Sequence, residues 1–118
     1  MLFRSPLRGS RVLVYGVAYK PNVSDTRESP GIEILGLLAR YGAKVAYSDP
    51  FVARLRTPEL ELESVDVTRG FSDWDAVVLV TDHSALDREC LLSEATLVVD
   101  TRGALRGRNA RPGTIYGL

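Results

Sequence analysis

Residues 12–30 read VLVYGVAYKPNVSDTRESP, and their order decides the fold: an unbroken apolar run, a long polar loop, then a helix start. Arg11 to Val17 is nearly continuously apolar, as in a strand covered on both faces within a parallel sheet. Ser29 is placed to N-cap a helix, Pro30 suits its first turn and Gly42 can end it, which predicts a helix from about Pro30 to Tyr41. Its apolar positions Ile32, Ile34, Leu35, Leu37, Leu38 and Ala39 make a face too wide for solvent, so the helix packs on the sheet. The intervening loop puts Lys20, Asp25, Thr26, Arg27 and Glu28 at the carboxyl end of a strand, where open α/β sheets bind ligands.

Outward from that unit, Lys44 to Tyr47 reads as a second strand, ended by Ser48-Asp49-Pro50 because proline cannot continue a ladder. Ser64 to Val67 reads as a short edge strand and Ser72 to Asp75 as a helical turn. Ala76 to Thr81 is another buried run, the expected central partner of the first strand. Ser84 to Leu92 is a short helix, Thr96 to Asp100 a buried strand and Thr114 to Tyr116 an edge strand. The alternation predicts an α/β fold, a three-layer sandwich with a mainly parallel Rossmann-like sheet of five to six strands and right-handed crossovers. No repeat or linker interrupts it, so residues 1–118 read as a single domain, with 1–8 as an extension.

A chain of 118 residues buries roughly two-thirds of the surface its unfolded form exposes. Fifteen basic and fifteen acidic side chains cancel, so net charge does not draw the chain to nucleic acid or a membrane. No apolar run approaches the ~20 residues that span a bilayer, and MLFRSPLRGS lacks a signal-peptide core, which predicts a cytoplasmic protein. Cys90 and His83 are the only residues of their kinds, so neither an internal disulfide nor a Cys/His metal cluster is available. Only Lys20 and Lys44 among the basic residues are lysines; this arginine skew suits bidentate phosphate contacts and follows equally from genome composition.

The first crossover lacks the G-x-G-x-x-G fingerprint of a dinucleotide site, since Gly16 is followed by Val17, Ala18 and Tyr19. Its loop exceeds the usual length of about 2–6 residues and can supply side chains instead: Lys20 as a point charge, Arg27 as a donor fork near a helix start. Anion binding is one reading. Pairing of Arg27 with Asp25 or Glu28 and simple solvation of Lys20 is the other, and the residues favour neither. Asp49 reads as a turn-former rather than a ribose ligand, and His83 as a loop cap. Cys90 reads as a core residue and Trp74 as a cover for the core. Arginines 102, 106, 108 and 111 form a basic cluster that reads as a solvated face or interdomain contact.

GVAYKPNVSDTRESP, the aliphatic helix after it, YSDPF, VLVTDH and VVDTRG occur in this order over about Leu7 to Arg106. Together they resemble the C-terminal UDP-binding domain of UDP-glucose/GDP-mannose dehydrogenases, most closely the UDP-N-acetylglucosamine and UDP-N-acetylmannosamine 6-dehydrogenases. The resemblance implies an NAD-dependent, two-step oxidation of a sugar C6 alcohol to a carboxylate through a cysteine thioester, in polysaccharide biosynthesis. It assigns NAD to an N-terminal domain and the cysteine to a central dimerisation region, and this chain corresponds to the last third. The chain alone is then not expected to turn over substrate; its partners would be a UDP-sugar, those other domains and further copies in a homo-oligomer. Residue by residue, Tyr19 and Lys20 fall on the family's aromatic-lysine pair at the substrate, and Arg102 on an arginine near the uridine ribose and sugar. Arg27 falls on an arginine directed across the interdomain cleft toward the cofactor or its neighbouring loop. Gly103 stands where the family often has a second arginine or an asparagine. The alternatives are a non-catalytic interaction or regulatory module derived from that domain and a receiver-like or flavodoxin-like domain, the last disfavoured because the first strand does not end in an acidic cluster.

Overall fold

The computed structural model describes residues 8–27, 29–68, 70–103, 105 and the strand 115–117. Their elements are β1 (Arg11–Tyr15), α1 (Pro30–Arg40), β2 (Lys44–Ser48), β3 (Arg54–Arg56), β4 (Glu61–Glu63), β5 (Ala76–Leu79), α2 (Arg88–Glu94), β6 (Val98–Asp100) and β7 (Ile115–Gly117). Five strands form one parallel sheet in the order β2-β1-β5-β6-β7. The α/β sandwich and the strand count therefore stand as expected, with β5 beside β1.

Period-two alternation divides the core. Val12 and Val14 of β1 join Leu35 of α1 and Val78 on one face, while Leu13 and Tyr15 join Leu79, Leu91, Leu92 and Val98 on the other. One helix on each face completes three layers. Ser29 caps α1 by accepting the Gly31 N–H at 3.2 Å, and Gly42 leaves the helix at φ +93°, a conformation that costs glycine little. The α1 apolar face is narrower than its sequence suggests: Leu35 is wholly buried but Leu37 is half exposed.

β1 and β5 end two residues earlier and β6 begins two residues later than the sequence reading, and two segments depart from it further. The second helix begins at Arg88, not Ser84, because Asp87 caps it through the Cys90 N–H at 3.0 Å and residues 83–86 close a turn first. No strand forms at 64–67; the neighbouring RLR and ELE segments pair instead as the antiparallel β3–β4 hairpin, where opposite charges face each other. Val65 instead bonds the sheet edge through its N–H to the Tyr47 carbonyl at 2.8 Å and through its carbonyl, which accepts the Ser48 hydroxyl at 2.7 Å, and packs its side chain on the core.

Counting only strands of the large sheet in chain order gives 2-1-3-4-5, and the connections diverge between β1 and β5. In such sheets ligands sit outside the carboxyl ends of strands at this divergence. The loops after β1, β5 and β6 all open on that edge, and β1 and β6 are only about 10 Å apart, two strand spacings.

Candidate functional site

The loop after β1 starts at Gly16, whose φ of +93° turns the chain out of the sheet. A Cβ here would lie 2.5 Å from the Thr81 backbone, so only glycine fits. At the first turn of α1, a Cβ on Gly31 would lie 2.6 Å from the Gly16 carbonyl. Gly16 and Gly31 thus let the end of β1 and the first turn of α1 pack closely, but the loop between them lacks the G-x-G-x-x-G pattern by which such a turn admits a dinucleotide pyrophosphate.

Asp49, buried at the end of β2, organises the loop. Its Oδ2 accepts the Val17 and Ala18 N–H groups at 2.9 and 3.0 Å, and Oδ1 accepts the Phe51 N–H at 2.8 Å. The His83 ring, wholly buried, also donates from Nε2 to Asp49 Oδ2 at 2.8 Å. On its other side His83 Nδ1 accepts the Asn22 N–H at 2.8 Å. A backbone N–H can only donate, so Nδ1 is bare and the ring proton sits on Nε2. The Thr81 hydroxyl donates to the Ala18 carbonyl at 2.8 Å, and Ser84 donates its N–H and hydroxyl to Asn22 Oδ1 at 3.0 and 2.9 Å. Asn22 itself is held at φ +64°, a left-handed conformation that asparagine tolerates. The turn role expected of Asp49 and the loop-capping role expected of His83 are both present, joined in one network.

Tyr19 and Lys20 stand exposed on this loop, Tyr19 with 54% of its surface open. Arg27 lies apart, forking on Asp25 with Nε to Oδ1 at 3.1 Å and Nη2 to Oδ2 at 2.9 Å. That pairing is the solvated alternative read from the sequence, and it draws the Asp25 carboxyl down to about 2. Glu28 lies outside the described residues. Arg102 follows β6 in a turn built by buried Asp100, whose two oxygens accept the Arg102 and Leu105 N–H groups at 3.1 and 2.9 Å. Its guanidinium is exposed and reaches Asp82 of the β5 loop at 4.0 Å, while Arg88 approaches the same carboxylate at 3.5 Å. The β5 loop therefore joins the other two, touching Asn22 through Ser84 and Arg102 through Asp82. Of the basic cluster near the C-terminus, residues 106, 108 and 111 lie outside the described residues.

Two depressions, of about 500 and 380 Å³, lie respectively along α1 against Pro58 and beside Ser48, Pro50 and Val65. Neither is lined by Tyr19, Lys20, Arg27 or Arg102. Cys90 packs partly against the core, and burial followed by Glu94 pushes its thiol up, away from the reactive thiolate. Trp74 covers the core edge and carries the Arg11 guanidinium 5.1 Å above its ring. Among the described residues no group of three or more metal-ligating side chains occurs, and no helix is long and apolar enough to cross a membrane.

Residues 13–107 match the UDP-glucose/GDP-mannose dehydrogenase family, UDP binding domain. The chain belongs to that family. Its similar relatives include the UDP-glucose 6-dehydrogenase of Rhizobium meliloti, 33% identical over 109 residues, which cover 85% of this chain and 24% of that protein. A UDP-N-acetyl-D-mannosamine dehydrogenase of Methanococcus maripaludis is 31% identical over 103 residues, covering 80% of this chain and 23% of that one. Among solved structures, a UDP-glucose dehydrogenase from Pyrobaculum islandicum aligns with TM-score 0.65 and 33% identity over 80% of this chain and 22% of its own. The NDP-N-acetyl-D-galactosaminuronic acid dehydrogenase of Methanosarcina mazei gives a TM-score of 0.75 over 98% of this chain and 25% of its own. At 22% identity that likeness speaks for the fold alone. This member of the family thus spans about a quarter of the length of its relatives, less than the third the motifs imply.

Proposed function

We propose that this domain holds the nucleotide diphosphate of a UDP-sugar for an NAD-dependent 6-dehydrogenase, with Tyr19, Lys20 and Arg102 on the substrate. The observation that carries the reading is that two exposed cations, Lys20 and Arg102, sit on loops opening at one sheet edge and braced by the same β5 loop. A mobile ammonium can follow a diphosphate, and a planar guanidinium can fork on its oxygens. Family membership supports the uridine nucleotide over other anions. NAD belongs, in this reading, to parts of the whole enzyme outside this chain, with Arg27 reaching toward it once it leaves Asp25. Oxidation of the sugar alcohol to a carboxylate in cytoplasmic polysaccharide-precursor synthesis then requires those parts, and the chain by itself is inactive. The 1–118 span acts as a single domain in this scheme.

Calorimetry with UDP, UDP-N-acetylglucosamine and GDP tests the reading. Uridine nucleotides bind with Kd in the micromolar-to-millimolar range, GDP more weakly, and Lys20→Met with Arg102→Gln loses at least about tenfold. Absence of uridine-nucleotide binding near millimolar by a folded sample overturns an autonomous site. The second reading, an interaction module that self-associates, draws on half-exposed Leu37 and Tyr41 beside the depression along α1. Sedimentation showing a ligand-independent oligomer without nucleotide affinity favours it.

A further inference from the structure

We infer that His83 is a positioning residue that latches the Tyr19–Lys20 loop only while its Nδ1 is bare, so that protonation of this ring releases the loop and with it the nucleotide. The binding half of this inference rests on the proposed function; the latch itself does not.

The loop between Gly16 and Asn22 has no strand partner of its own. Its N-terminal end is pinned by Asp49, which takes the Val17 and Ala18 N–H groups. Its far end is pinned at Asn22, by the imidazole through the main chain and by Ser84 through the side chain. Tyr19 and Lys20 lie between these two anchors, and the Tyr19 N–H also donates to the Asp25 carbonyl beyond Asn22. Among the described residues His83 is the side chain that joins both, donating to Asp49 and accepting from Asn22.

A second ring proton can go only to Nδ1, where it meets the Asn22 N–H across 2.8 Å. Two donors cannot share that space, so Asn22 must turn away. The ring has little freedom to adapt, being edge-on to Tyr15 at 6.2 Å and tilted on Phe51 at 5.0 Å. The charged and titratable groups around it are few. Asp49 Oδ2, which favours a positive ring, already accepts two backbone N–H groups besides the ring. Burial, then the Asp49 charge, raises the Tyr15 phenol to about 12, with Arg88 opposing, so Tyr15 stays neutral. On the β5 loop and α2, Asp82 is paired with Arg88 and Arg102, and Lys20 extends into solvent. The closed loop holds one proton fewer than the open loop, so closure is favoured at higher pH and lost as pH falls.

His83 is the single histidine of the chain, so its ring nitrogens are assigned without ambiguity in a ¹⁵N-labelled sample. At about pH 8 the expected signature is a protonated Nε2 and a bare Nδ1, and on acidification the Asn22 and Ser84 amide signals move along the same curve as the ring. A proton on Nδ1 at pH 8, or Asn22 signals that ignore the ring's titration, overturns the latch without any ligand present. UDP-glucose, a diphosphate diester with no proton to gain in this range, probes the consequence. Its affinity falls about tenfold between pH 8 and pH 5 in the unaltered chain. His83→Gln, whose amide can donate to Asp49 and accept from Asn22 but does not titrate, keeps the pH 8 affinity within about threefold and holds it at pH 5. Equal weakening of both proteins on acidification overturns the role in binding. Failure of both to bind at either pH overturns the nucleotide reading alone, and the ring and amide signals then decide the latch.

Discussion

The loop after β1 and the β3–β4 hairpin both gather charged and polar side chains, but the first is anchored on a buried pair, Asp49 and His83, whereas water bathes the ion pairs of the second. The Asp49 and His83 side chains are buried and fully partnered, and the described residues leave no buried side-chain nitrogen or oxygen without a hydrogen bond. In the hairpin, Arg54–Glu63 at 3.3 Å and Arg56–Glu61 at 2.7 Å join side chains two-thirds or more exposed. The shorter distance is in the hairpin, yet solvent screening and side-chain entropy leave such pairs little net stabilisation. Removing a buried acceptor strands its donors, and that penalty is not screened.

The sharpest way to break this contrast is Asp49→Ala, which orphans the Val17, Ala18 and Phe51 N–H groups and His83 Nε2 together. Urea unfolding should report a loss of about 3–5 kcal/mol. A loss below about 1 kcal/mol means water replaces the carboxylate and the loop is not built on it. A smaller effect is expected at Asp25, partly open to solvent and bound bidentately to exposed Arg27. In Arg27→Gln its NMR titration should return from about 2 toward the ordinary carboxylate range. The sign follows from the lowered native value: this pair supports the fold above the ordinary range and its contribution fades as pH falls toward about 2. An unchanged titration means Arg27 does not rest on Asp25 in solution. The smallest effect belongs to Arg56→Ala, which should change stability by less than about 0.5 kcal/mol and respond to salt accordingly. A loss comparable to that of Asp49→Ala erases the distinction between the two regions.

Much of the fold was legible because it depends on short-range pattern. The apolar run in β1 marked a strand buried on both faces, and Ser29, Pro30 and Gly42 bounded α1 to within one residue. The hairpin was missed because RLR and ELE are brief and polar on alternate positions, so their pairing shows only once the turn at 57–60 brings them together. At the site, Tyr19, Lys20, Arg27 and Arg102 were singled out by their motifs, whereas Asn22 and Asp82 stood inside the same motifs with no role assigned and Ser84 lay outside them. Their importance lies in contacts between segments some 20 to 62 residues apart in the chain.

What the amino-acid order determined alone is the succession of main-sheet strands and their two helices and the family to which the domain belongs, since these rest on periodicity, caps and local motifs. What only tertiary structure decided is that Asp49 and His83, 34 residues apart, meet at 2.8 Å and jointly hold the Tyr19–Lys20 loop. The physical reason is that parallel pairing of β2, β1 and β5 brings the ends of the outer two strands to opposite sides of Gly16. Burial there leaves each polar atom no partner except another of its own chain.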